Sequence, residues 1–120
     1  MRRYVVRLSG PLLLAVATNA LAHAFVDHAV PAVGSTLHAS PPEVKIWFTQ
    51  KLEPPFSSVR IEDANGNVIA AAEKAVDASD HTVLSVRLPP LAPGKYRVVW
   101  RVLSVDSHVT QGDFTFEVAP

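Results

Sequence analysis

The sequence contains no cysteine, and its single methionine is Met1. No disulfide can staple the chain, so its stability must come from packing and, if one is bound, a metal. Beyond Met1 there is neither thiolate nor thioether. Any metal chemistry is then limited to nitrogen and oxygen donors, which suit Cu(II), Ni(II) or Zn(II) rather than Cu(I). There are only five glycines, and they form no phosphate-cradling loop. No G-x-S-x-G elbow is present, and with no cysteine there is no thiol nucleophile. Formal charge does not lean to either sign, with 11 basic and 11 acidic residues. Only one apolar run approaches membrane-spanning length, and it lies at the extreme N-terminus.

That run reads as an export signal. Arg2, Arg3 and Arg7 form a basic start, Leu12–Ala17 an apolar core, and Ala20-Leu21-Ala22 an A-x-A cleavage site. It is too short and wrongly flanked for a stable anchor. The expected division is a signal peptide over 1–22 and one domain over 23–120, placing the mature protein in the periplasm. Removing three arginines leaves 8 basic against 11 acidic residues, a net charge of about −3. That balance argues against nucleic acid and anionic membranes as partners, because both need basic patches. Nothing in so small a chain calls for more than a monomer.

The rest of the chain alternates with period two. Val44, Ile46 and Phe48 share one face, as do Val59 and Ile61, and Leu84, Val86 and Leu88. Tyr96, Val98, Trp100 and Val102 form the longest set, and Phe114, Phe116 and Val118 close the chain. Such alternation predicts strands covered on one side. Asp63–Asn67, with its Asn-Gly pair, is a hairpin signal before Val68-Ile69-Ala70. Three Pro-Pro pairs and Pro93-Gly94 separate the runs. An antiparallel β-sandwich is expected, with a small barrel as the competing architecture. Ala70–Lys74 reads as a helical turn or a loop, and Trp47 and Trp100 as core aromatics.

Two places carry chemistry. Cleavage after Ala22 makes His23 the first residue, and its α-amine and imidazole can chelate one cation. The amine has a reference pKa of about 7.7–8.0, so a metal can displace its proton near neutral pH. Asp106-Ser107-His108 follows the strand expected over 95–103. In an extended segment residues i and i+2 share a side, which would present the Asp106 carboxylate and His108 imidazole together. An amine, two imidazoles and a carboxylate suit Cu(II). His28 is a weaker neighbour. His38 and His81 read as solvated loop residues, and Asp77 and Asp80 lack the dense oxygen pattern of a calcium loop.

The stretch Gly94 to His108 reads G-x-Y-x-V-x-W-x-V-x-S-x-D-x-H. Together with His23, Pro31–Ser35, Pro42–Phe48, Gly112 and Phe116 it resembles the CopC family of exported copper-binding proteins. The resemblance implies an all-β, Greek-key antiparallel β-sandwich. It also implies one Cu(II) per chain, held by the His23 amine and imidazole, Asp106 and His108. It implies copper handling outside the cytoplasmic membrane, often beside a CopD-like membrane protein. Three departures stand out: there is no Met-rich Cu(I) loop, Gln50 follows Phe48-Thr49 where some members have Glu, and Phe25 is the third mature residue where many have His.

Two rival functions differ in class. An N-terminal histidine with a second imidazole resembles the copper brace of oxidative polysaccharide-cleaving enzymes, but Asp106 would occupy the position oxygen needs. A structural or adhesion module with incidental histidines is the other. Binding and exchange of copper, without catalysis, is the leading expectation.

Overall fold

A computed structural model describes residues 24–120 together with Gly10 and Pro11. The remainder of the expected signal peptide, and His23, lie outside the described residues. Among the described residues eight strands follow in order: β1 Val26–Val30, β2 Thr36–Leu37, β3 Glu43–Phe48, β4 Ser58–Glu62, β5 Val68–Ala72, β6 Val83–Arg87, β7 Gly94–Leu103 and β8 Val109–Val118. A 3-10 turn, Pro54–Phe56, precedes β4. Among the described residues no helix is long and apolar enough to cross a membrane.

The strands form two sheets, ordered β1-β3-β6 and β2-β8-β7-β4-β5. The chain passes between them repeatedly, which gives the expected Greek-key sandwich. One pairing departs from the expected antiparallel pattern: β2 runs parallel to β8, with Thr36 opposite Glu117 and Leu37 opposite Val118. Neither β1 nor β2 was expected as a strand, because neither shows a clean alternation.

The inward faces are those the period-two pattern selects. Ile46, Ile61, Leu84, Val98 and Val102 are fully buried, and Phe116 nearly so. Burying each such side chain contributes about 1.5–3 kcal/mol relative to leaving it exposed. Trp100 meets the Phe48 ring edge-on at 5.1 Å between centroids. Its indole also lies over Gly112, its cross-strand partner, where an added Cβ would come within 2.6 Å of the ring. Tyr96 stacks on Phe116 and donates its hydroxyl to the Ala92 carbonyl at 2.5 Å.

Two expectations are corrected. Ala70–Ala72 are neither helical turn nor loop but the end of β5, paired with Val59–Ile61 of β4. Small side chains suit this edge strand because the ladder, not propensity, holds it. Trp47 is not a core residue: on β3 it alternates outward, against buried Ile46 and Phe48, and stacks on His28 at 4.3 Å.

Candidate metal centre

β7 and β8 are paired over their whole length, the last pair being Leu103 and Val109. Residues 104–108 join them. This is a tight turn rather than the extended segment expected from the sequence. Ser107 donates its N–H to the Ser104 carbonyl at 2.9 Å, and Ser104 donates to the His108 carbonyl at 3.0 Å. Ser107 itself has φ +70°, in the left-handed region that costs an ordinary residue about 1–2 kcal/mol. Asp106 and His108 still meet, with His108 Nδ1 3.3 Å from Asp106 Oδ1. Turn geometry brings them together, not strand alternation.

The carboxylate is held by its neighbours. The fully buried Ser104 donates its hydroxyl to Asp106 Oδ1. The His108 N–H approaches the same oxygen at 3.4 Å. The Ser104 hydroxyl is the main influence holding the Asp106 carboxyl below its ordinary range; partial burial opposes it, and His108 adds to the lowering. Asp106 therefore needs no deprotonation by an incoming cation. All the contacts described go to Oδ1, so Oδ2 points to no donor among the described residues. A carboxylate on Nδ1 also fixes the imidazole, with Nε2 as the other ring donor. Side-chain exposure of 30% for Asp106 and 48% for His108 leaves the pair open to solvent.

A second segment braces the turn. Val105 donates to the Lys51 carbonyl at 3.1 Å, and Glu53 donates to the Leu103 carbonyl at 2.7 Å. Buried Ser57 accepts from the Leu103 N–H at 3.2 Å. The same segment holds the chain just before β1. Phe25 donates to Thr49 Oγ1 at 3.0 Å and accepts from the Thr49 N–H at 2.9 Å. Fully buried Ala24 accepts from Thr110 Oγ1 at 3.0 Å. Thr110 stands two residues after His108, so the chain just after His23 is clamped beside the turn. The backbone carries Gln50 between these two arms, from Thr49 on one side to Lys51 on the other.

The remaining candidates lie apart. Among the described residues no three His, Asp or Glu side chains group to hold a metal, so His28 does not complete the Asp106–His108 pair. Its ring is sandwiched into other contacts, with Trp47 stacked on it and Asp27 Oδ2 2.7 Å from Nδ1. His38 and His81 are exposed in loops. Asp77 and Asp80 serve as turn caps, accepting from Ser79 and Thr82 hydroxyls at 2.6 Å, which lowers both carboxyl pKa values. Sequence reasoning missed the supporting roles of Ser104, Thr49 and Thr110. Ser104 was visible in the S-x-D-x-H spacing, whereas the threonine contacts span the fold and left no local signal.

Residues 26–119 match the CopC domain family. The chain belongs to the CopC family. It is 30% identical over 118 residues to copper resistance protein C of Escherichia coli, covering 92% of this chain and 93% of that protein. The crystal structure of CopC from Methylosinus trichosporium OB3b overlays with a TM-score of 0.73 at 36% identity, covering 82% of this chain and 95% of that one. Copper transport protein CutJ of Bacillus subtilis is 26% identical over 83% of this chain, yet the match occupies 19% of CutJ. A CopC-like stretch there forms part of a much longer protein. The expected family and sandwich are thus borne out, and this CopC chain sits among proteins named for copper resistance and transport.

Proposed function

We propose that this CopC chain is exported, cut after Ala22, and binds one Cu(II) through the His23 amine and imidazole, Asp106 and His108. The observation that carries the reading is the convergence of two arms. Thr110 clamps Ala24 next to the turn on which Asp106 and His108 lie 3.3 Å apart. Only the amine freed by cleavage completes the chelate, so the precursor carries the ligands without the site. The absence of sulfur beyond Met1 supports Cu(II) and argues against a second, Cu(I) site. Binding and exchange, without catalysis, follow from an open site on a turn. The protein acts as a periplasmic monomer that sequesters copper or hands it to a CopD-like membrane protein. The CopC-like stretch inside a longer copper transport protein supports the handover.

The test compares the mature protein with a form retaining one extra residue before His23. The mature form should bind one Cu(II) with a nitrogen-rich EPR spectrum, and the extended form far more weakly. Equal binding by the two overturns the amine chelate. Affinity should also fall as pH drops from 8 toward 5, because protons compete for amine and imidazole. Asp106 adds nothing to that slope, since its carboxyl is already ionised there.

A further inference from the structure

The peptide group joining Ala24 to Phe25 is held at both of its polar ends by threonine hydroxyls. Its carbonyl, which belongs to Ala24, accepts from Thr110 Oγ1 at 3.0 Å. Its N–H, which belongs to Phe25, donates to Thr49 Oγ1 at 3.0 Å. The two hydroxyls come from different layers. Thr110 lies on β8 of the five-stranded sheet, and Thr49 directly follows β3 of the three-stranded sheet. One peptide group is therefore tied to both halves of the sandwich. The Ala24 methyl adds a third hold, fully buried in the core that the two halves share.

Ordinary strand pairing does not account for this arrangement. The β1–β3 ladder begins at Val26, opposite Phe48, and its register slips between Val26 and His28. Such a bulge disrupts the ladder at its very end, and a chain running past the end of a ladder ordinarily frays. Here the Thr49 N–H donates to the Phe25 carbonyl at 2.9 Å, one residue beyond the ladder. The hydroxyls reach one peptide group further. They satisfy backbone groups with side chains, so the hold depends on residue type at positions 49 and 110, and an aliphatic residue there cannot supply it.

The place of the hold gives it a purpose. Only His23 stands between Ala24 and the expected cleavage point. Thr110 stands two residues after His108, where the chain leaves the turn. The same stretch thus carries one candidate ligand and fixes the arm that brings another. An arm ordered in advance loses its conformational entropy on folding rather than on binding, which strengthens binding accordingly.

We propose that Thr49 and Thr110 are positioning residues for the metal centre. Their hydroxyls fix the 24–25 peptide group before any cation arrives, so the amino-terminal arm is preorganised and not ordered by the metal. The role in binding rests on the proposed copper site; the fixed arm itself does not.

The test compares the mature protein with the double variant T49V/T110V, which removes both hydroxyls and keeps the branched shape. In the copper-free state, hydrogen exchange of the Phe25 amide, followed by NMR, should be at least about tenfold faster in the variant. The amides of β7 should stay as protected as in the parent. Cu(II) affinity, measured by competition with a chelator, should fall at least about tenfold, as expected when one residue must be ordered on binding. The loaded variant should keep the parent's EPR spectrum, because the ligands are untouched. T49S/T110S should restore both exchange and affinity, since serine supplies the same hydroxyls. Unchanged Phe25 exchange in the valine variant would overturn the hold, and parent-like affinity despite faster exchange would overturn its role in binding. A serine variant that behaves like the valine one would assign the effect to packing and overturn the role of the hydroxyls. Should the double variant not fold, T49V alone makes the same test, because Thr49 is exposed and its hydroxyl accepts from Phe25. Failure of the parent to bind Cu(II), with Phe25 exchange responding to both variants as expected, would overturn the copper site and leave the fixed arm standing.

Discussion

The β7–β8 ladder and the turn that closes it are built on different physics, although they are contiguous. In the ladder, side chains alternate between core and solvent, and each backbone bond repeats the one before it. Trp100, Val98 and Phe116 are placed by burial of apolar area. In residues 104–108 no apolar side chain is buried. There the shape is set by the Ser104 hydroxyl, the hydrogen bond from Ser107 N–H to Ser104, and one left-handed residue. The ladder carries the stability, and the turn holds the two side chains proposed as copper ligands. A site that must exchange a metal is better placed where few apolar contacts would have to open.

Variants should separate the two regions. Replacing Gly112 with Ala drives a Cβ into the Trp100 indole, and the ring has the Phe48 edge behind it. Overpacking of this kind costs about 1–3 kcal/mol. Thermal unfolding should fall by roughly 4–8 °C for each kcal/mol lost, with Cu(II) binding by the folded fraction retained. An unchanged midpoint would mean that the ladder is looser than the packing implies.

The turn should respond to backbone chemistry instead. Ser107→Val places a β-branched residue at φ +70° and should cost about 1–2 kcal/mol, whereas Ser107→Gly should not destabilise. Chemical denaturation of the pair measures the difference, and equal stabilities would argue that φ at this position is not strained.

The smallest effect on stability should come from Ser104→Ala, about 1 kcal/mol for the lost hydrogen bond. Its larger signature is electrostatic. Without the hydroxyl, the Asp106 carboxyl should titrate closer to the ordinary carboxylate range, as read by carboxyl-carbon NMR. A carboxyl held low in the folded state stabilises it above the unfolded pKa. That contribution is lost as pH falls through the folded value. The variant should therefore show a shallower loss of stability on acidification than the parent.

Much of the sandwich was legible in the sequence because alternation is a local property. The inward sets on β3, β4, β6, β7 and β8 follow from period two alone. Trp47 was misjudged because an indole on a strand reads as apolar wherever it stands, yet its parity puts it opposite Ile46 and Phe48. The alanine run of β5 carries no alternation, so nothing local distinguished strand from turn. At the site, Asp106 and His108 were legible as a pair, but for the wrong reason, since a left-handed Ser107 cannot be read from an Asp-Ser-His triplet.

The sequence by itself determined which side chains must be buried and which N and O donors are on offer, because both depend on residue type and spacing. Only the tertiary structure decided what those donors meet. Thr110 and Ala24 are 86 residues apart and touch because the two sheets close on one core. Arg60, Arg97 and Arg101 share a face because β4 and β7 pair in a register that buries Ile61 and Val98 on the other side. Strand register answers to burial of a whole face, which is a property of the assembled sheet and of no single segment.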